Sequence, residues 1–309
     1  MDNLYIIAGA LRSGSTMVHL MLDNHPDIEN PGEFDFLFDR VGDDGSLPEP
    51  AEFHQWLELN RIFQSQQLTI DNTLPVKELL VSFVQQARKH KSILALNIHR
   101  NFHRIPFIFP KAKYIHLIRD PRDVARSSID MGWAGNVYYG IDHWISTEKS
   151  WQQLQRQISA EKIYNLYYEN LVRNVEQELN QICHFLGLAY SKEMLNYSNN
   201  STYSAPDIKL IEQWKTKLSA TDIALVELKA RNLMAGLGYQ TVSSPEYAPS
   251  LFQRLSLAFH NAAYKYKFAI RRYGFLLFLK EKAGRYLKID SLYKHALLQM
   301  NEIDKLHLK

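Results

Sequence analysis

The sequence predicts an α/β fold: a three-layer, doubly wound parallel sheet with a P-loop-like nucleotide site, followed by a helical C-terminal extension. Three observations predict it. Leu4–Ala8 is a short continuous apolar run, the pattern of a strand buried on both faces, and strand-like stretches rich in apolar residues recur at 93–97, 114–118 and 162–168. Helical patterns alternate with them, as parallel crossover connections require. The first run leads through Gly9-Ala-Leu-Arg-Ser-Gly-Ser-Thr16 into an apolar helix, the unit in which a helix N-terminus meets an anion.

The elements follow in order. Leu4-Tyr-Ile-Ile-Ala8 is the first strand, and Met17-Val-His-Leu-Met-Leu22 reads as a helix ending near Asn24-His25-Pro26. Residues 27–75 are loop-rich with short helical pieces, and Gly42-Asp-Asp-Gly-Ser46 marks an exposed turn. A helix over 76–91 precedes the second strand, and a helix over 122–131 follows the third directly. The fourth strand leads into a helix over 175–186. Ser219 is placed to cap a helix over 219–237, with Gly238 near its end. Residues 241–249 have linker composition, which divides the chain into a catalytic-sized domain, 1–240, and a helical extension, 241–309.

The chain has 309 residues and 36.0 kDa, with 46% apolar and 22% charged residues, ordinary globular proportions. Its net charge of +3 is unevenly spread. Residues 251–309 hold 12 Lys/Arg against 4 Asp/Glu, so the first 250 carry 24 against 29. A mildly acidic body argues against a nucleic-acid partner. The single cysteine, Cys183, excludes an intrachain disulfide framework and a multi-cysteine metal site, and its apolar neighbours predict a buried thiol. No basic segment precedes the first apolar run, and no apolar run approaches ~20 residues. The expectation is a soluble, cytoplasmic protein.

Gly9-x-x-x-x-Gly14-Ser15-Thr16 has the glycine spacing and final Thr of a Walker A loop, but Ser15 stands where that motif needs Lys. Such a loop is poorly equipped for triphosphate hydrolysis. It can still cradle a smaller phosphate group with its backbone N–H groups, the helix dipole and the hydroxyls of Ser13, Ser15 and Thr16. Arg12 adds a forked cation. A second cluster, Arg119-Asp-Pro-Arg-Asp-Val-Ala-Arg-Ser127, begins at the carboxyl end of a strand, where open α/β sheets bind ligands. Arg119 and Ser127 form a second anion site, expected to be separate from the first.

Two phosphate sites without a triphosphate Lys resemble the PAPS-dependent sulfotransferase family (PAPS, 3′-phosphoadenosine-5′-phosphosulfate), nearer its tyrosylprotein and bacterial branch. Arg12-Ser-Gly-Ser-Thr16, extended to Leu22-Asp-Asn-His-Pro-Asp27, looks like the family's 5′-phosphosulfate loop. Tyr114-Ile-His-Leu-Ile-Arg-Asp-Pro-Arg-Asp-Val124 with Ser127 looks like its 3′-phosphate motif. Ile163-Tyr-Asn-Leu-Tyr-Tyr-Glu-Asn-Leu171 and Phe185-Leu-Gly-Leu188 resemble its downstream region, whose Tyr, here Tyr168, lies near the adenine. The resemblance spans roughly residues 4–240. It implies PAPS as co-substrate, adenosine 3′,5′-bisphosphate (PAP) as product and no metal, which leaves Arg12, Ser13, Gly14, Ser15, Thr16, Arg119, Ser127 and Tyr168 as nucleotide contacts.

Sulfuryl transfer to a hydroxyl or amine needs a base. Glu33, in Asn30-Pro-Gly-Glu33, resembles the Gly-Glu of the tyrosylprotein branch. It needs a raised pKa or close geometry to act near neutrality. The rival is His99, placed where the cytosolic branch carries Lys-Thr-His; Asn97 replaces the Lys, and Arg100 is the neighbouring cation that could substitute. Glu33 is preferred, with Arg100 or His99 assisting. Arg122 and Arg126 are expected in ion pairs on their helix. Gly132-Trp-Ala-Gly-Asn136 reads as a mobile loop near the cleft, with Trp133 free to stack on an acceptor, and Trp214-Lys-Thr-Lys217 as a segment closing over the phosphates. Residues 34–75 and 132–145 are expected to line the acceptor pocket.

The basic, aromatic tail (251–309) is expected to pack on the body or to dimerise, in preference to docking on a membrane surface; nucleic acid comes third. Two other functions fit the motifs: a P-loop kinase-like phosphotransferase, and a non-catalytic nucleotide-binding scaffold.

Overall fold

The computed structural model describes residues 2–199 and 205–306. In chain order, β1 (Leu4–Gly9) leads to α1 (Ser15–Asp23) and the two-residue β2 (Ile28–Glu29). Next come α2 (Pro50–Leu59), α3 (Arg61–Ser65), α4 (Val76–Ala87), β3 (Ile93–Ile98), α5 (Ile105–Ile108) and β4 (Lys113–Ile118). Then α6 (Pro121–Asp130), α7 (Val137–Gly140) and α8 (Asp142–Gln155) lead to β5 (Ile163–Tyr167). After β5 come α9 (Tyr168–Arg173), α10 (Val175–Leu186), α11 (Trp214–Lys217) and α12 (Ala220–Gly236). The tail forms α13 (Leu251–Tyr273), α14 (Phe275–Tyr286) and α15 (Asp290–Lys305).

The strands pair in parallel in the order β2-β3-β1-β4-β5, with helices on both faces. Strand alternation sorts the core. Leu4, Ile6 and Ala8 of β1 join Leu94, Leu96 and Ile98 of β3 on one face. Tyr5 and Ile7 point the other way, to Met21 and Leu22 of α1 and to Leu179 and Ile182 of α10. Cys183 is buried there, and burial pushes its thiol up to about 11. β2 is too short for any sequence pattern; Lys91 holds its approach in place by donating to the carbonyls of Asp23, His25 and Ile28. The fourth helix ends at Ala87, short of the expected 91, because Arg88 turns extended and donates to the carbonyls of Asp2 and Asn3. Ser219 caps α12 in a full capping box with Asp222.

The tail packs on the body through one face of α13. Asn261 accepts from the Gly135 N–H at 2.8 Å, Asn136 donates to the Leu257 carbonyl, and the Tyr264 hydroxyl donates to the Ile129 carbonyl. The glycines of 132–136 therefore form a seat for a helix rather than a free loop, which corrects the sequence expectation. A Cβ on Gly135 would lie 2.9 Å from the Asn261 Cα and 3.0 Å from the His260 carbonyl oxygen. Gly135→Val is accordingly expected to cost about 1–3 kcal/mol by overpacking against backbone. Limited proteolysis should show new cleavage around 251–273, and unchanged protection would contradict the seat.

Candidate active site

β1 and β4 are neighbours in register, Gly9 opposite Leu117, so the loops leaving their carboxyl ends emerge side by side. In the first loop Arg12 and Gly14 take left-handed backbone conformations, φ 72° and 94°, and α1 begins at Ser15. The ring of Tyr168 lies where a Cβ on Gly14 would stand, 2.4 Å away, so only glycine fits beneath it. The first-turn N–H groups of α1 have no intrahelical acceptor, and Gly14, Ser15 and Thr16 line a cleft of about 1250 Å³. Ser13 differs from expectation. The N–H of Ser13 closes a turn onto the Ala10 carbonyl, and its hydroxyl is buried without a hydrogen-bond partner among the described residues.

Arg119, at the end of β4, donates from Nη1 to the Arg12 carbonyl at 2.8 Å and from Nη2 to the Leu210 carbonyl at 2.9 Å. Its guanidinium lies 4.4 Å from the centre of the Tyr168 ring, a cation–π contact. Arg12 Nε donates to Ser127 Oγ at 2.9 Å. The two anion sites expected to be separate thus adjoin: Arg12 belongs to the first loop and touches the hydroxyl of the second. Arg12, Arg119, Arg126, Ser127 and Tyr168 all line the cleft. This donor set fits a nucleotide bearing two small anionic groups: it offers guanidinium forks, hydroxyls and helix N–H groups, and a buried Arg119 Nε that has no hydrogen-bond partner among the described residues.

Glu33 lines the same cleft. The Asn97 N–H donates to the Gly32 carbonyl and the Phe34 N–H to the Asn97 carbonyl, each at 2.9 Å, which zips residues 32–34 onto the end of β3. That pairing carries Glu33 to His99, with Oε1 3.6 Å from Nε2. The two rival bases are therefore partners. Glu33 lines the cleft with its side chain 39% exposed, while that of His99 is 1% exposed. The other ring nitrogen, Nδ1, lies 2.9 Å from the Gly9 carbonyl, and the His99 N–H donates to Asp35 at 2.7 Å. Burial opposes charge on the ring, but Asp35 and Glu33 outweigh it and hold the imidazole above its ordinary value. Burial likewise pushes Glu33 up, and its contacts with His99 outweigh that, so the carboxyl sits below the ordinary range. A raised Glu33 pKa is thus not what suits it to proton transfer; close geometry is.

Asn97 is buried and its amide donates to the Ser15 carbonyl at 3.3 Å, tying β3 to the start of α1 rather than reaching the cleft. Arg100 lines the cleft, yet its guanidinium forks onto Asp39 at 2.6 Å and lies 3.7 Å from Asp35. Arg122 is buried in ion pairs with Asp120 and Glu227 at 2.7 and 2.8 Å, and stacks 3.5 Å from the Trp214 ring. Arg126 pairs with Asp130 at 3.5 Å, as expected, while also facing the cleft. The segment 214–217 does not close over the loops. Trp214 is buried with its N–H on Asp123, Lys215 pairs with Glu212, and Lys217 donates to Gln213.

Arg61 on α3, inside the 34–75 stretch expected to line the acceptor pocket, lines the cleft; what sequence reasoning missed is the tail's share of the wall, Lys265, Tyr266, Phe268 and Arg272 of α13 and Lys282 of α14. Trp133 lines it too, edge-on to His143 with ring centres 5.7 Å apart. Nothing local marks the tail residues. The tail residues reach the site through the seating of α13 on Gly135.

Sheet order, loop and paired cations define a nucleotide-handling α/β protein of the P-loop-like kind. Residues 5–192 match the Sulfotransferase family, and the chain belongs to that family; it is an enzyme, a sulfotransferase. A Caenorhabditis briggsae protein named as a protein-tyrosine sulfotransferase is 24% identical over 277 residues, covering 80% of this chain and 93% of that one. The sulfotransferase domain of the Synechococcus PCC 7002 olefin synthase superposes with a TM-score of 0.53 at 25% identity, over 74% of this chain and 94% of that one. The sulfotransferase domain from the curacin biosynthetic pathway shares the fold, with a TM-score of 0.56 at 20% identity over 77% and 98% of the two chains.

Proposed function

We propose that this enzyme moves a sulfuryl group from PAPS to a hydroxyl or amine, releasing PAP, with Glu33 as the proton acceptor. The observation that carries this reading is that the Arg12–Gly14 loop and Glu33 line one cleft. When bound, PAPS supplies the activated sulfuryl group; the protein's own residues bind, orient and move a proton. Arg12, Ser15, Thr16 and the first turn of α1 suit the 5′-phosphosulfate, where charge gathers on the sulfuryl oxygens and the leaving phosphate. Arg119 and Ser127 suit the 3′-phosphate, and Tyr168 the adenine side.

On the acceptor side, Glu33 takes the proton as the acceptor oxygen or nitrogen attacks. A carbonyl can only accept, so the Gly9 contact assigns a proton to His99 Nδ1 and leaves Nε2, the atom facing Glu33, to titrate. Glu33 and His99 therefore gain and lose protons as a pair. The first proton enters above the ordinary histidine pKa and rests mainly on His99, the second below the ordinary carboxylate range and mainly on Glu33. A proton captured by Glu33 thus comes to rest on a pair with higher affinity than a lone carboxylate. His99 is a positioning residue, because its buried ring does not touch the cleft. The tail lies outside the family match and lines the cleft.

The test is a thermal-shift titration followed by transfer of labelled sulfate. PAP without Mg²⁺ is expected to raise the melting temperature, and labelled PAPS to label acceptors from a cell extract. A larger shift with Mg-ATP would point to a phosphotransferase instead. Nucleotide binding with no transfer to any acceptor would point to a scaffold.

A further inference from the structure

We propose that α13 and α14 form a docking face for an anionic lipid bilayer beside the mouth of the cleft. α13 has two opposed sides. Leu257, Asn261, Tyr264 and Phe268, at helical spacing, face the seat on the body. Diametrically across the helix, Phe252, Leu255, Phe259, Ala262 and Tyr266 recur at i, i+3, i+7, i+10 and i+14, an apolar stripe that is exposed along its length. It is strongly exposed, with Phe252 at 81% and Phe259 at 77%. α14 continues it with exposed Phe275, Leu276 and Leu279, joined to the stripe where Tyr266 meets Phe278, ring centres 5.5 Å apart. A contiguous apolar surface of this kind on a soluble domain marks an interaction site.

Charge decides the occupant. Arg254, Lys265, Lys267, Arg271, Lys280 and Arg285 are exposed along α13 and α14, while the acidic Glu281 between them is buried against Lys282 and Arg285. Lys265 and Lys267 fall on the two flanks of the stripe, where long stems can lie along apolar surface with their ammonium groups among anionic headgroups. Two copies of this chain apposed through the same face would bring these cations together, whereas an anionic bilayer neutralises them. No helix of the described residues is long and apolar enough to cross a membrane, so the face lies on the surface rather than inserting through it. Lys265, Tyr266 and Phe278 also line the cleft, so docking sets the cleft mouth at headgroup level.

The test is flotation of the full chain with unilamellar vesicles, one set of phosphatidylcholine alone and one of phosphatidylcholine with phosphatidylglycerol at about 3:1. Binding to the anionic vesicles is expected to exceed binding to the neutral ones by about tenfold or more, and to weaken in 0.5 M salt. Phe252→Asp with Phe259→Asp is expected to lower it by about tenfold or more, and Lys267→Glu by a smaller factor. Unchanged melting and unchanged PAP stabilisation in these variants would show intact folding and keep this result independent of the sulfuryl-transfer reading. No flotation of the wild-type chain with anionic vesicles, or flotation indifferent to the stripe variant, would overturn the proposal. So would a concentration-dependent dimer, seen by sedimentation without lipid, that Phe252→Asp with Phe259→Asp dissolves.

Discussion

Glu33→Gln is expected to lower kcat for sulfuryl transfer by about 10²–10⁴-fold, the usual worth of a positioned general base, while leaving PAP affinity within about twofold. The amide keeps the shape and the seat on β3 but cannot take a proton. His99 is walled off from the cleft, so it cannot substitute directly. In the wild-type enzyme kcat should rise with pH through an apparent pKa above that of ordinary histidine, where the Glu33–His99 pair empties its first proton. Stability runs the other way there. A histidine raised in the folded state stabilises fully below its ordinary 6.5, and that contribution is lost as pH rises through the raised value. Glu33, held low, stabilises above its ordinary 4.5 and loses that contribution as pH falls through its lowered value. Activity gained and stability lost over one pH window above 6.5 is the signature to measure, by kinetics and by melting temperature on the same samples. Transfer that survives Glu33→Gln and vanishes in His99→Ala would reverse the two roles.

Arg119→Ala is expected to weaken PAP binding by about 10–100-fold, the loss of one or two charge-assisted hydrogen bonds. Two effects combine in that figure. The guanidinium is the cation at the end of β4, and its Nη1 also holds the Arg12 carbonyl that shapes the first loop. Arg119→Lys restores a charge without the fork or the flat stack over Tyr168, so it should recover less than tenfold of the loss. Calorimetric titration with PAP reads the effect, and the melting temperature without nucleotide separates it from misfolding. An affinity unchanged in Arg119→Ala would remove this arginine from the nucleotide site.

β1, β3 and β4 were legible because parallel strands buried on both faces are largely apolar, and the anion loop because glycine and serine at that spacing have few other uses. The motif region was legible for the same reason: its residues are local in sequence and each belongs to one strand–loop–helix unit. The Glu33–His99 pair was not, since it depends on residues 32–34 zipping onto Asn97, a backbone pairing that no side chain announces. Nor was the joining of the two anion sites, which needs β1 beside β4. Glycine misled at 132–136, where absence of a side chain signals close approach as readily as freedom.

By itself, then, the amino-acid sequence determined the parallel sheet, the triphosphate-poor loop and the arginines placed at its strand ends. Those follow from hydrophobic periodicity and local backbone requirements, which act over a few residues. Only the tertiary structure decided which carboxylate meets which imidazole, and that a basic extension walls the cleft. Both depend on contacts between segments far apart in the chain, such as the Gly135 N–H on Asn261, where seating one helix turns a surplus of positive charge into part of the site.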